Sequence, residues 1–262
     1  MPSPPPYHGY LFDLDGTIYL GERLIPGAGE ALARLKDRGA RVIYMTNKPL
    51  YSPDDYAHKL SRLGIPARPD EVLTSSLALA SHMALHCPAA RVLLVGEGQV
   101  AHDLKAAGCR LVEEPAEAEV VVLAWDRGFT YGKLDAAMQA LRAGAHFLAT
   151  NPDVACPMGE GRFVPDCGAL IAALAACSGR APDFVAGKPN PGMAEAALQR
   201  LELRPQDCLL VGDRLMTDIV CGRRAGVTTA LVMTGVTDAA GLAAASEEAR
   251  PDYVLDSVAN LT

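Results

Sequence analysis

The sequence predicts an α/β protein built on a largely parallel sheet, with a second α/β domain inserted into the first. Three observations carry this reading. Short apolar runs alternate with helix-periodic segments, the alternation pauses and then resumes, and polar clusters follow several apolar runs directly. At 262 residues the chain is long enough to bury one large core or two modest ones.

Tyr10-Leu11-Phe12 reads as a strand ending at Asp13. Ala28 to Arg38 reads as a helix, with Ala31, Leu32 and Leu35 on one face and Gly39 as its stop. Arg41 to Met45 is the next strand and ends at Thr46-Asn47. Pro53 to Leu63 is helical, with Ser52 as N-cap and Gly64 as the C-terminal breaker. A second alternating region contains strands at Arg91 to Val95, Glu119 to Ala124 and His146 to Ala149, with helices near Leu134 to Arg142 and Ala169 to Ala176. Between the last two elements, Asn151 to Gly168 reads as a Gly- and Pro-rich loop of the size that is usually functional or disordered. The first pattern then returns. Asp183 to Val185 is a short strand, Gly192 to Leu201 a helix, Cys208 to Val211 a strong strand and Asp218 to Ala225 a helix, before late strands at Thr229 to Met233 and Tyr253 to Leu255. The expected organisation is a core from 1–79 and 179–262, with an inserted domain over 80–178.

Composition excludes some functions. Lys plus Arg number 24 against 31 Asp plus Glu, a formal charge of −7, which argues against a broad nucleic-acid face. A small anionic substrate stays compatible, because local amides and one lysine outweigh a modest global field. The cysteines, at 87, 109, 156, 167, 177, 208 and 221, form no CxxC pair and read as reduced thiols in a cytoplasmic protein. Met1-Pro2-Ser3-Pro4-Pro5-Pro6 reads as a frayed lead-in. It has no basic segment, and no run in the chain approaches the ~18 apolar residues of a spanning helix, so neither a membrane segment nor a secretory signal is expected. The histidines show no compact metal-ligand spacing, and Trp125, Tyr131 and Phe147 are expected to pack rather than to stack on substrate.

The chemistry sits in four polar clusters that follow strands: Asp13-Leu14-Asp15-Gly16-Thr17, Thr46-Asn47, Gly187-Lys188-Pro189, and Gly212-Asp213 with Asp218. Carboxyl-terminal strand ends gather at one edge of an open parallel sheet, so residues distant in sequence meet there. Asp13 and Asp15 lie two apart and project to one side of an extended segment. That spacing permits Asp13 to attack phosphorus while Asp15 protonates the departing alkoxide and later activates water. Repulsion between a carboxylate and a phosphate dianion calls for positive charge. Mg2+ held by Asp13, the main-chain oxygen of Asp15 and Asp213 supplies part of it, and Lys188 the rest. Thr46 and the Asn47 amide complete the phosphate cradle, and Asp218 orients either Lys188 or metal-bound water. Each cluster alone has a duller explanation. Asp-x-Asp-Gly is compatible with a calcium turn, although EF-hand spacing is absent, and the others with turns, helix caps or an exposed lysine. Their ordered recurrence after four strands is what carries the reading.

These motifs resemble the haloacid dehalogenase-like phosphatases, in the branch with a large α/β cap between the second and third motifs (class IIA, NagD-like). Asp13 to Thr17 match the first motif, Thr46-Asn47 the second, Lys188 in Gly-Lys-Pro the third, and Gly212 to Asp218 the fourth. Tyr131-Gly132-Lys133-Leu134 and Thr150-Asn151-Pro152-Asp153 also look like this branch. The resemblance implies a Rossmann-like three-layer core with an inserted cap. It implies an Asp13 nucleophile, an Asp15 acid/base, phosphate ligands at Thr46 and Lys188, a magnesium ligand at Asp213 and a supporting acid at Asp218. Branch members include ribonucleotide, phosphoglycolate, pyridoxal-phosphate and nitrophenyl-phosphate phosphatases, many of them dimers through the cap, which makes a homodimer the implied assembly.

Two departures bear on specificity more than on chemistry, and a third on assignment to a named subgroup. Lys48 stands where relatives often carry Asn, Met216 where they are often acidic, and Asp166-Cys167-Gly168 replaces a glycine-rich form. Lys48 and the Asn151 to Gly168 region are therefore the candidate specificity determinants. The expected function is Mg2+-dependent hydrolysis of a small phosphorylated metabolite, a sugar phosphate or nucleoside monophosphate. The competing readings are a phosphotransferase, a phosphoacceptor signalling domain and a noncatalytic metabolite-binding domain.

Overall fold

The computed structural model describes residues 4–157 and 162–261. The start of the expected lead-in (1–3) and positions 158–161 of the expected loop lie outside the described residues. The chain divides into two compact units, one of 1–46, 53–73 and 188–262, the other of 47–52 and 74–187.

The first unit carries a six-stranded sheet. Its order is Tyr253–Leu255, Thr228–Val232, Cys208–Gly212, Gly9–Asp13, Arg41–Thr46 and Val72–Thr74. The four pairings from Tyr253–Leu255 through Arg41–Thr46 are all parallel. Gly9–Asp13 is buried along its length, as expected for a strand covered on both faces. The chain leaves this strand toward Arg41–Thr46 on one side and returns to Cys208–Gly212 on the other, so the strand order reverses at its carboxyl end. Tyr10, Phe12, Tyr44, Leu209 and Val211 share one core cluster with Leu32 and Leu35 of the helix Ala28–Asp37 and Leu60 of the helix Pro53–Arg62. Both helices stop where expected, with Gly39 and Gly64 in left-handed conformation just beyond them.

The second unit has a five-stranded parallel sheet in the order Phe184–Val185, His146–Ala149, Val120–Leu123, Arg91–Val95, Arg110–Val112. It is larger at both ends than the expected 80–178. A boundary at 79/80 would cut the helix Ser75–His86, whose Leu79 and Met83 enter this unit's core, and Phe184–Val185 extends its sheet. The helix Gly98–Ala106 adds an element that periodicity does not single out. The segment read as a loop over 151–168 contains an antiparallel hairpin, Ala155–Pro157 with Phe163–Pro165, and the start of the helix Cys167–Ser178. Short apolar triplets separated by glycines are too brief for a periodic signal, which is why this hairpin escapes a sequence reading. Trp125 and Phe147 pack in this unit's core as expected, but Tyr131 does not. It opens the helix Tyr131–Arg142 and is 85% exposed.

All seven cysteines are free thiols. Among the described residues no helix is long and apolar enough to cross a membrane.

Candidate active site

Strand register brings the motif residues to one edge. Asp13 is level with Met45 across one parallel pairing, which puts Thr46 one residue beyond it; Phe12 is level with Val211 across the other, which puts Gly212 beside Asp13 and Asp213 one residue further. Lys188 then joins the acids directly. Its ammonium donates to Asp13 Oδ1 at 2.6 Å and to Asp218 Oδ1 at 2.6 Å, and its side chain is 2% exposed. The second oxygen of Asp218 accepts the Arg214 N–H at 3.0 Å, so both of its oxygens are engaged. Asp218 lies in a five-residue π-type turn, Leu215–Ile219, ahead of the helix Val220–Arg224. Such widened turns recur at functional sites because they re-aim a side chain. Of the two groups that sequence reasoning set beside Asp218, Lys188 is the one it contacts here.

Asp213 is fully buried, and its Oδ2 accepts the Val236 N–H at 2.6 Å. Its Oδ1 is buried without a hydrogen-bond partner. A buried acceptor left unpaired costs free energy that native structures rarely tolerate, unless another ligand completes it. Ligand oxygens of Asp13, Asp213 and Asp218 lie within 4.8 Å of one another, forming the only cation-holding group of three or more His, Cys, Asp or Glu among the described residues. When ionised, the three carboxylates face a single ammonium here, a deficit of two positive charges. A divalent cation fits that deficit, and oxygen donors are those that Mg2+ prefers. Both Asp218 oxygens are held by protein donors, and Asp213 Oδ1 is the oxygen of these three acids that is buried without a partner.

Electrostatics agree with the crowding. Burial pushes the Asp13 carboxyl well up; Lys188 pulls it down, while Asp218 and Asp213 push it further up. Burial, reinforced by the Asp218 charge, raises Asp213 to about 7. Burial alone would lower Lys188, but the charges of Asp13 and Asp218 more than offset it and hold the ammonium protonated.

Asp15 is half-buried in the turn after the strand, where it bridges to Tyr19, and the Gly16 N–H donates to the Tyr19 carbonyl at 2.8 Å. Thr46 is buried at the end of its strand. Asn47 and Lys48, next in the chain, belong to the second unit. There the Asn47 amide donates to Asp153 at 2.7 Å and its carbonyl accepts the Ser75 hydroxyl at 2.7 Å. Lys48 is half-buried, and its charge offsets a small part of the burial that raises the Asp166 pKa to about 6. Sequence reasoning passes over Thr234 to Thr237, the loop that contacts Asp213. The available signal was the same as elsewhere: Thr234-Gly235 lies just beyond an apolar strand, Thr228–Val232, in the same sheet.

The haloacid dehalogenase-like hydrolase family matches residues 10–110, and a second HAD-hydrolase-like family matches 185–261. The chain is 39% identical over 231 residues to the acid sugar phosphatase of Staphylococcus haemolyticus, covering 88% of this chain and 87% of that protein. It is 37% identical over 252 residues to the 5'-nucleotidase YutF of Bacillus subtilis, covering 96% of each. The fold superposes with a TM-score of 0.90 on the crystal structure of glycerol phosphate phosphatase from Mycobacterium tuberculosis in complex with magnesium, at 34% identity over 97% of this chain and 76% of that one. With motifs, sheet order and relatives agreeing from end to end, this chain belongs to the haloacid dehalogenase-like hydrolases, as a phosphatase of the branch with the large α/β insertion.

Proposed function

We propose that the chain hydrolyses a small phosphate monoester in a Mg2+-dependent reaction that carries the phosphoryl group transiently on Asp13. The observation that supports this most is the buried charge deficit around Lys188, with one Asp213 oxygen lacking a protein partner. An Asp13 oxygen attacks phosphorus as the bond to the leaving oxygen breaks, and Asp15 gives its proton to that oxygen. Asp15, now a carboxylate, takes a proton from the water that attacks the same phosphorus, and the bond to Asp13 breaks to release inorganic phosphate. Lys188, held by Asp218, neutralises charge on the transferring oxygens, and Thr46 and Asn47 donate hydrogen bonds to them. Asp13, the main-chain oxygen of Asp15 and Asp213 would hold the Mg2+, which would supply the remaining positive charge.

The second unit is the inserted cap of this reading, with Lys48 and the 151–168 region setting substrate preference. Relatives named as sugar phosphatases and a 5'-nucleotidase make sugar phosphates and nucleoside monophosphates the first substrates to test. A cytoplasmic location and a homodimer through the cap belong to the same reading.

The test is phosphate release across a panel of sugar phosphates, nucleotides, phosphoglycolate and pyridoxal phosphate, with and without Mg2+. Acid quench of the parent with 32P-labelled substrate is expected to trap hydroxylamine-labile label on the protein. Asp13→Asn is expected to fold, trap no label and lose turnover. Turnover by that variant at the parent rate would refute the assigned nucleophile.

A further inference from the structure

We infer that the loop Thr234–Val236 is a positioning device for Asp213, setting which of its oxygens faces the cation, with Thr234 and Gly235 as the positioning residues. This rests on the reading of Asp213 as a cation ligand.

Three contacts converge on the inference. The Val236 N–H donates to Asp213 Oδ2 at 2.6 Å, which fixes the carboxylate's rotation and leaves Oδ1 as the oxygen without a partner. The Thr237 N–H donates to the Asp213 carbonyl at 3.2 Å, so backbone and side chain of the same residue are both held by this loop. The Thr234 hydroxyl donates to the Gly16 carbonyl at 2.6 Å, anchoring the loop to the turn that follows Asp13 and Asp15.

Steric fit explains the residue at 235. A Cβ on Gly235 would overlap the Asp213 carboxylate, so any larger residue must move either the loop or the acid. Gly16 crowds the same acid, since a Cβ there would lie 2.5 Å from Asp213 Oδ2 and 3.1 Å from the Gly235 Cα. Two glycine backbones therefore pack against one carboxylate, and the Thr234 hydroxyl ties them together. Groups that orient metal ligands typically change metal affinity by about 10- to 100-fold when removed.

The experiment measures Mn2+ affinity, in place of Mg2+, from the EPR signal of free ion without substrate, in the parent, Asp213→Asn, Gly235→Ala, Thr234→Val and Thr234→Ser. Gly235→Ala and Thr234→Val are expected to weaken binding about 10-fold or more, while Thr234→Ser, which keeps the donor, binds like the parent. Unfolding midpoints in EDTA are expected to be alike for Thr234→Val and Thr234→Ser, separating positioning from folding. Should Gly235→Ala not fold, the Thr234 pair carries the test. Parent-like affinity in Thr234→Val, with binding lost in Asp213→Asn, would overturn the loop's role while leaving the cation site standing. Absence of Mn2+ binding to the parent would overturn the cation reading and the loop's role together.

Discussion

Lys188 holds a buried ammonium between two acids, and the arrangement constrains what a substitution there does. Lys188→Met preserves stem length but leaves Asp13 and Asp218 facing each other unneutralised. Breaking a buried pair by removing one partner costs about 3–5 kcal/mol. The expected result is a loss of that order in urea unfolding at pH 7.5 with EDTA present, together with loss of turnover. Asp166 gives a second, pH-dependent case, well away from the cation ligands in sequence. It caps the helix Cys167–Ser178 by accepting the Cys167 N–H at 2.6 Å, and accepts the Asn151 amide at 3.0 Å. Burial raises its pKa to about 6; those two hydrogen bonds and the Lys48 charge lower it, and the Asp153 charge raises it. The folded protein thus binds this proton more tightly than the unfolded chain. Its contribution is full below about pH 4 and is lost as pH rises through 6, a swing of about 3 kcal/mol. Asp166→Asn keeps the cap without the charge. It is expected to unfold at higher urea than the parent at pH 7.5, with the gap narrowing toward pH 4.5. An equal gap at both pH values would contradict the assignment.

At the scale of elements, the strand Cys208–Gly212 and the turn Leu215–Ile219 act together. The strand delivers Gly212 and Asp213 to the sheet edge, and the widened turn brings Asp218 back over the strand end. A Cβ at Gly212 would overlap the Asp218 side chain, so the close approach of turn to strand depends on glycine there. Gly212→Ala is expected to push Asp218 outward and release one of the two anchors of Lys188. Overpacking of this kind costs about 1–3 kcal/mol, and misplacing a catalytic group by ~1 Å costs about 100-fold in rate. Steady-state kinetics beside urea unfolding check both numbers on one variant.

At the scale of the whole molecule, Asp13 and Asp213 come from segments separated by an entire second unit, so a cation held by both would tie the two halves of the first unit together. Binding to the folded state alone then stabilises that state by linkage, about 2.7 kcal/mol at a hundredfold excess over the dissociation constant. Mg2+ is expected to raise the thermal midpoint of the parent in a concentration-dependent way and to leave that of Asp213→Asn unmoved. Equal shifts in both proteins would argue against Asp213 as a ligand.

Sequence by itself determined the α/β class, the strands that end at Asp13, Thr46 and Gly212, and the identity of the charged residues at those ends. Each of these is local: period-2 or buried apolar runs, helix stops at glycine, and polar residues placed directly after strands. The pairing of Ala155–Pro157 with Phe163–Pro165 and the helix through 79/80 were not legible, because their residues gain their pattern from the sheet and helices they pack against. Tertiary structure alone decided which two acids hold Lys188 and which retains an unpartnered buried oxygen. It also brought the loop from Thr234 to Val236 against Asp213. Those outcomes depend on distances between chain segments tens to hundreds of residues apart, and parallel register, not local propensity, sets such distances.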